Sequence, residues 1–142
     1  MNKNLIIVPG WQDSGSEHWQ SIWEKKLKAK RVVQDDWMFP KRIDWVARVE
    51  GVVRDQQVPP ILIAHSMGCN TAVILAKETD CAIGGLFLVC PVDLEIESTP
   101  KEIANFLPTP DEQLRVPSAI VASSDDPYCS IERAKSFAKN WG

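Results

Sequence analysis

Nine residues, Ile61-Leu62-Ile63-Ala64-His65-Ser66-Met67-Gly68-Cys69, constrain this chain more than any other stretch. A short apolar run gives way at once to small and polar residues and then to a helical pattern, which reads as a buried strand turning sharply into a helix. Written against G-x-S-x-G, the turn is Ala64-His65-Ser66-Met67-Gly68, with alanine in place of the first glycine. Residues two before and two after the serine must be small because strand and helix pack closely there, and Ala64 with Gly68 meet that need. Such a turn projects the Ser66 hydroxyl out of the sheet, with the Met67 backbone N–H beside it as an oxyanion donor. The competing reading makes Ser66 a helix N-cap whose hydroxyl only satisfies an orphan amide.

The rest of the sequence supplies the sheet and helices that such a turn requires. Leu5-Ile6-Ile7-Val8 is a β-branched run ended by Pro9-Gly10, and it reads as a central strand buried on both faces. The polar loop after it, residues 11–17, stands at the carboxyl end of a strand, where open α/β sheets bind ligands. Its amides are the natural second source of oxyanion donors, Trp11 first and Gln12 as the alternative. Residues 18–28 have Trp19, Ile22, Trp23 and Leu27 at helical spacing with Gln20, Glu24, Lys25 and Lys28 opposite, predicting an amphipathic helix with the first set inward. Arg31-Val32-Val33 is a candidate strand, and a helix over 43–55 places Trp45, Val46, Val49, Val52 and Val53 on one side. Asp35-Asp36, with no histidine or further acid nearby, reads as loop rather than metal cluster.

After Ser66 a helix runs to about Glu78, and residues 83–90 read as another buried strand stopped by Pro91. Prolines 100, 108 and 110 break up residues 92–115, leaving room for a short helix from Lys101 to Phe106 over the pocket or along the surface. Residues 118–122 form the last strand and open into Ser123-Ser124-Asp125-Asp126-Pro127-Tyr128. A closing helix over 132–141 turns Ala134, Phe137, Ala138 and Trp141 inward. Strands alternating with helices imply a mostly parallel sheet, right-handed crossovers and helices on both faces.

The 142 residues suit one domain, residues 1–142, with a single core. A net charge of −3 provides no field to attract nucleic acid or an anionic membrane surface. Cys69, Cys81, Cys90 and Cys129 lack C-x-x-C spacing, and three fall in or beside apolar elements where cysteine behaves as a small hydrophobe, consistent with a reducing cytoplasm. Met1-Asn2-Lys3-Asn4 leads into only four apolar residues, too few for a signal peptide or a membrane span.

Three loops therefore converge on one edge of the expected sheet: Pro9-Gly10-Trp11, His65-Ser66-Met67 and Asp125-Asp126-Pro127. Acyl transfer by serine needs a hydroxyl, oxyanion donors, a histidine base and a carboxylate that orients the base. A carboxylate after the serine in the chain fits the order Ser…Asp…His. Asp126, directly before Pro127 and deepest in the turn, is the first choice and Asp125 the second; either could instead only cap the turn or the following helix.

Val8-Pro9-Gly10-Trp11-Gln12, His18-Trp19-Gln20, the 64–69 turn and Ser123-Ser124-Asp125-Asp126-Pro127-Tyr128-Cys129 together resemble the retinoblastoma-binding protein 9 and YdeN family of small α/β-hydrolase-fold serine hydrolases. The resemblance spans nearly the whole chain. It implies Ser66 as nucleophile, Asp126 as triad acid, an esterase-like or peptidase-like activity on a small ester, thioester or amide, and no metal or organic cofactor. Family members carry the triad histidine in a Gly-His motif one strand further on, whereas this sequence stops at Trp141-Gly142. The resemblance thus implies a C-terminally truncated α/β-hydrolase-like sheet without its base.

The two histidines present are His18, expected inside the first helix, and His65, beside Ser66. His65 is expected to point away from its neighbour and to serve packing or hydrogen bonding, His18 to be structural or pocket-lining, and both stand as possible pocket residues. An unpaired strand at residues 118–122 would be an open edge available to a second copy, giving a homodimer. The competing class is an inert binding module that keeps the hydrolase pocket. A flavodoxin-like nucleotide binder ranks last, because Pro9-Gly10-Trp11-Gln12 offers one glycine where a phosphate loop needs several.

Overall fold

The computed structural model describes residues 4–142; residues 1–3, the start of the N-terminal stretch considered above, lie outside the described residues. Five strands, β1 (Leu5–Val8), β2 (Lys30–Arg31), β3 (Ile61–His65), β4 (Gly85–Val89) and β5 (Ser118–Val121), alternate with helices α1 (Trp19–Leu27), α2 (Arg42–Arg54), α3 (Met67–Glu78) and α4 (Ile131–Trp141). A 3₁₀ helix, Lys101–Phe106, covers the span expected for a short helix. The strand order is β2-β1-β3-β4-β5 and every pairing is parallel, so β3 and its turn sit at the centre. Among the described residues no helix is long and apolar enough to cross a membrane.

The parallel register sets two layers. Ile6, Leu62 and Leu86 lie side by side, as do Val8, Ala64 and Leu88, and these rungs pack against α2, α3 and α4. On that side Val49 and Val53 of α2, Cys69, Ala72, Val73 and Leu75 of α3, and Ala134, Phe137 and Trp141 of α4 close the main core. Phe137 and Trp141 stack with ring centroids 4.5 Å apart. The helical spacing of α2 and α4 thus picks out their inward residues, except that Ala138 is exposed.

The opposite layer, Ile7-Ile63-Phe87-Ala119 and His65-Val89-Val121, meets α1. Here the amphipathic expectation fails. Gln20 and Ser21 are the buried residues of α1, while Ile22, Trp23 and Leu27 are 41%, 38% and 46% exposed. The cause is backbone polarity: the Gln20 amide donates to Val8 O and Ile63 O at 3.1 Å each, and its oxygen accepts from the Ser14 hydroxyl at 2.7 Å. Burying those carbonyls without a partner would cost about 1–3 kcal/mol each. Polar satisfaction therefore sets the helix rotation. The second strand also shifts, forming at Lys30–Arg31 rather than 31–33, with Val32 buried after it.

Candidate active site

The turn between β3 and α3 carries the clearest functional geometry. Ser66 has φ 54° and ψ −125°, a conformation that costs a non-glycine residue about 1–3 kcal/mol and persists only where its surroundings enforce it. Its hydroxyl makes no cap hydrogen bond to α3, so the N-cap reading does not account for the serine. Close packing enforces the turn. A Cβ on Gly68 would stand 2.2 Å from Val8 O and 2.7 Å from Pro9 O, and one on Gly10 would stand 2.8 Å from His65 O and 2.9 Å from Ser66 Cβ. Ala64, fully buried, fills the remaining small position.

Gly10 brings the loop after β1 directly onto the serine turn. The Gln12 N–H donates to Trp37 O at 3.1 Å, and the Trp11 indole N–H donates to Met38 O at 2.9 Å. Gln12, an alternative oxyanion donor by sequence, therefore has its N–H already engaged. The N–H groups of Trp11 and Met67 donate to no other protein group among the described residues. Trp11, Gln12, Ser66, Met67, Val92, Ile103 and Tyr128 line one cleft of about 170 Å³.

The loop after β5 places the two aspartates differently. Asp126 is half-buried and its Oδ1 accepts from the Tyr128 N–H at 2.9 Å, whereas Asp125 is exposed and holds the Ser123 hydroxyl. Asp126 lines a separate hollow rather than the serine cleft, together with Asp93 and Cys129. Tyr128, two residues on, reaches the serine cleft. Burial and the Asp126 charge push the Cys90 thiol up, and burial with Asp126 and Asp93 pushes Cys129 up to about 11.

The histidines stand apart from this cleft. His18 precedes α1 as its N-cap rather than lying inside it, and its Nδ1 accepts from the Gln20 N–H at 3.1 Å. His65 sits on the α1 side of β3, its ring 4.7 Å from His18 and 5.9 Å from Trp19, edge-on to the indole. Burial, then His18, lowers its pKa to about 4; burial, then Arg31, lowers that of His18 against the opposing pull of Asp13. His65 is therefore a neutral packing group at pH 7. Neither histidine is among the residues that line the Ser66 cleft.

Sequence reasoning missed three cleft residues, Val92, Ile103 and Tyr128, because packing of the irregular 92–115 segment and the acid loop brings them in. Asn70 was legible in principle, as a polar residue inside the apolar run of α3. It is 2% exposed and exchanges two hydrogen bonds with the Val92 backbone, Nδ2 to Val92 O at 2.9 Å and Val92 N–H to Oδ1 at 3.0 Å.

A parallel α/β sheet with a strained serine at the carboxyl end of its central strand defines an α/β-hydrolase fold. Comparisons with known proteins carry this to a family. The serine hydrolase family profile matches residues 5–142. A protein of Pectobacterium atrosepticum described as a YdeN-like hydrolase is 31% identical with a TM-score of 0.85, over 97% of this chain and 72% of its own. This chain therefore belongs to the serine hydrolase family. The ydeN gene product of Bacillus subtilis shares the fold at 22% identity and TM-score 0.79, over 97% of this chain and 80% of its own. So does the Bacillus cereus carboxylesterase, at 14% and 0.63, over 96% and 72%. A search of curated proteins gives no match.

Proposed function

We propose that this serine hydrolase cleaves small esters, thioesters or amides through an acyl intermediate on Ser66. The observation that carries the reading is Ser66 itself, held in a strained turn with a hydroxyl that caps nothing, in the cleft it shares with Trp11 and Met67. Met67 N–H and Trp11 N–H stabilise the oxyanion; Gln12 does not, its N–H being spent on Trp37 O. Asp126 is the triad acid in preference to Asp125, supported by its partial burial and by the turn that fixes its carboxylate. That neither His18 nor His65 lines the cleft supports a reading in which neither is the base.

The family resemblance to YdeN-like proteins supports a small-molecule substrate, and four free thiols fit a reducing cytoplasm. β5 pairs with β4 alone among the described residues, which supports edge pairing between two copies as part of the same reading. One alternative is an inert module that binds ligands in the cleft. Chemical rescue separates the two. p-Nitrophenyl acetate hydrolysis with added imidazole is expected to run well above the Ser66→Ala rate, and to fall again in Asp126→Asn if the rescuing imidazole uses that carboxylate. Equal rates in wild type and Ser66→Ala at every imidazole concentration would leave the binding module.

A further inference from the structure

The cleft beside Ser66 has walls of unequal character, and the difference points to what the acyl group must be. Met67, Val92 and Ile103 are 1%, 3% and 1% exposed, and they belong to a second core cluster with Trp45, Ile74, Leu94 and Phe106. That side is apolar and closed. Tyr128, 41% exposed, brings the acid loop's phenol to the same cleft.

The closed side is also rigid. Asn70 clamps the Val92 backbone from within α3 through its paired hydrogen bonds. The 3₁₀ helix that carries Ile103 is pinned to the start of α2: the Arg42 N–H donates to Asn105 Oδ1 at 2.8 Å, Asn105 Nδ2 to Pro40 O at 2.9 Å, and Arg42 Nη1 to Phe106 O at 2.7 Å. Close-packed interiors do not yield to an extra few methylenes without strain. The wall therefore sets a length limit.

A substrate carbonyl whose oxygen points at the Met67 and Trp11 amides has two remaining directions. The leaving atom must be reached by a proton donor oriented from the Asp126 loop, so it faces Tyr128 and solvent. The acyl chain is left the closed side. We propose that Met67, Val92 and Ile103 form an acyl subsite selecting short, uncharged chains, with Ile103 as the residue that limits length. This rests on Ser66 being the nucleophile. A space of about 170 Å³, at about 30 Å³ per water-sized group, holds about six heavy atoms, that is, an acyl group of about five carbons with its oxygen. A charged acyl chain would lose its hydration against walls that carry no counter-charge.

The test is acylation of the full chain by p-nitrophenyl acetate, butyrate and octanoate with imidazole present. In each, a bond forms between Ser66 Oγ and the acyl carbon, the bond to p-nitrophenolate breaks with its electron pair, and the serine proton passes to imidazole. Initial rate and intact mass are read together. Butyrate is expected to exceed acetate by up to about fourfold per buried methylene, and octanoate to fall about tenfold or more below butyrate. Ile103→Ala is expected to raise the octanoate-to-butyrate ratio about tenfold. If that variant does not fold, Ile103→Val with the wild-type profile decides, a smaller rise in the ratio being expected. Ser66 adducts forming at rates indifferent to chain length, or favouring octanoate, would overturn the subsite while leaving the nucleophile standing. No adduct with any ester, and rates equal to Ser66→Ala, would overturn the reading of Ser66 and the subsite with it.

Discussion

The two faces of the sheet are held by different forces. On one, α2, α3 and α4 bury Val49, Val73, Leu75, Phe137 and Trp141 against Leu62, Leu86 and Leu88 in a continuous apolar core. On the other, α1 is fastened through the Gln20 amide to two strand carbonyls, and the sheet beyond it is less covered: Ala119 is exposed and Val121 is 45% exposed. Trp23 stacks on Phe87 at 5.9 Å yet keeps 38% of its surface in solvent. Apolar periodicity reports the buried side of a helix where the neighbouring layer is apolar. Where strand-end carbonyls need donors, a single well-placed amide overrides it.

Truncations on the two faces should separate most widely. Phe137→Ala, in the closed core, is expected to cost about 3–5 kcal/mol, against about 1 kcal/mol for Trp23→Ala, whose ring is part-exposed and loses one aromatic contact. Urea unfolding of both variants reads the gap, and equal losses would erase the distinction between the faces. Gln20→Ala should fall between them, at about 1–3 kcal/mol, because it strands the Val8 and Ile63 carbonyls. A loss near zero would mean that the apolar side of α1, not Gln20, holds the helix.

The smallest effect is one of pH, and it also belongs to the α1 face. The unfolded chain takes up a proton on His65 near the ordinary value of 6.5, while the folded chain resists until about 4. Above pH 6.5 both forms are neutral and nothing is lost. As pH falls from about 6.5 to about 4 the unfolded state is favoured, so the urea midpoint should decline across that window. His65→Phe should flatten the decline, with lowered His18 supplying the remainder. The same variant should keep Ser66-dependent acylation, since His65 is not among the residues that line the cleft.

The sequence pattern made the all-parallel sheet, the serine turn and the loops that feed it legible because each depends on local chemistry: β-branched runs, small residues at a tight approach, a proline after an acid. The elbow at Ser66, the engaged Gln12 and the partly buried Asp126 all sit on segments that could be located this way. What could not be read arises from contacts across long separations. Val92 is placed by Asn70, Ile103 by the contacts of its 3₁₀ helix with Pro40 and Arg42, and the rotation of α1 by carbonyls on two strands. His18 moved from helix interior to N-cap for a local reason that spacing alone does not reveal, an imidazole nitrogen free to accept the Gln20 amide.

The central claim, that the turn at Ser66 presents a nucleophile, is tested most directly by a fluorophosphonate probe followed by peptide mass mapping. One adduct, on the peptide containing Ser66 and absent from Ser66→Ala, is the expected result. Equal labelling of wild type and Ser66→Ala, or an adduct confined to another residue, would contradict it.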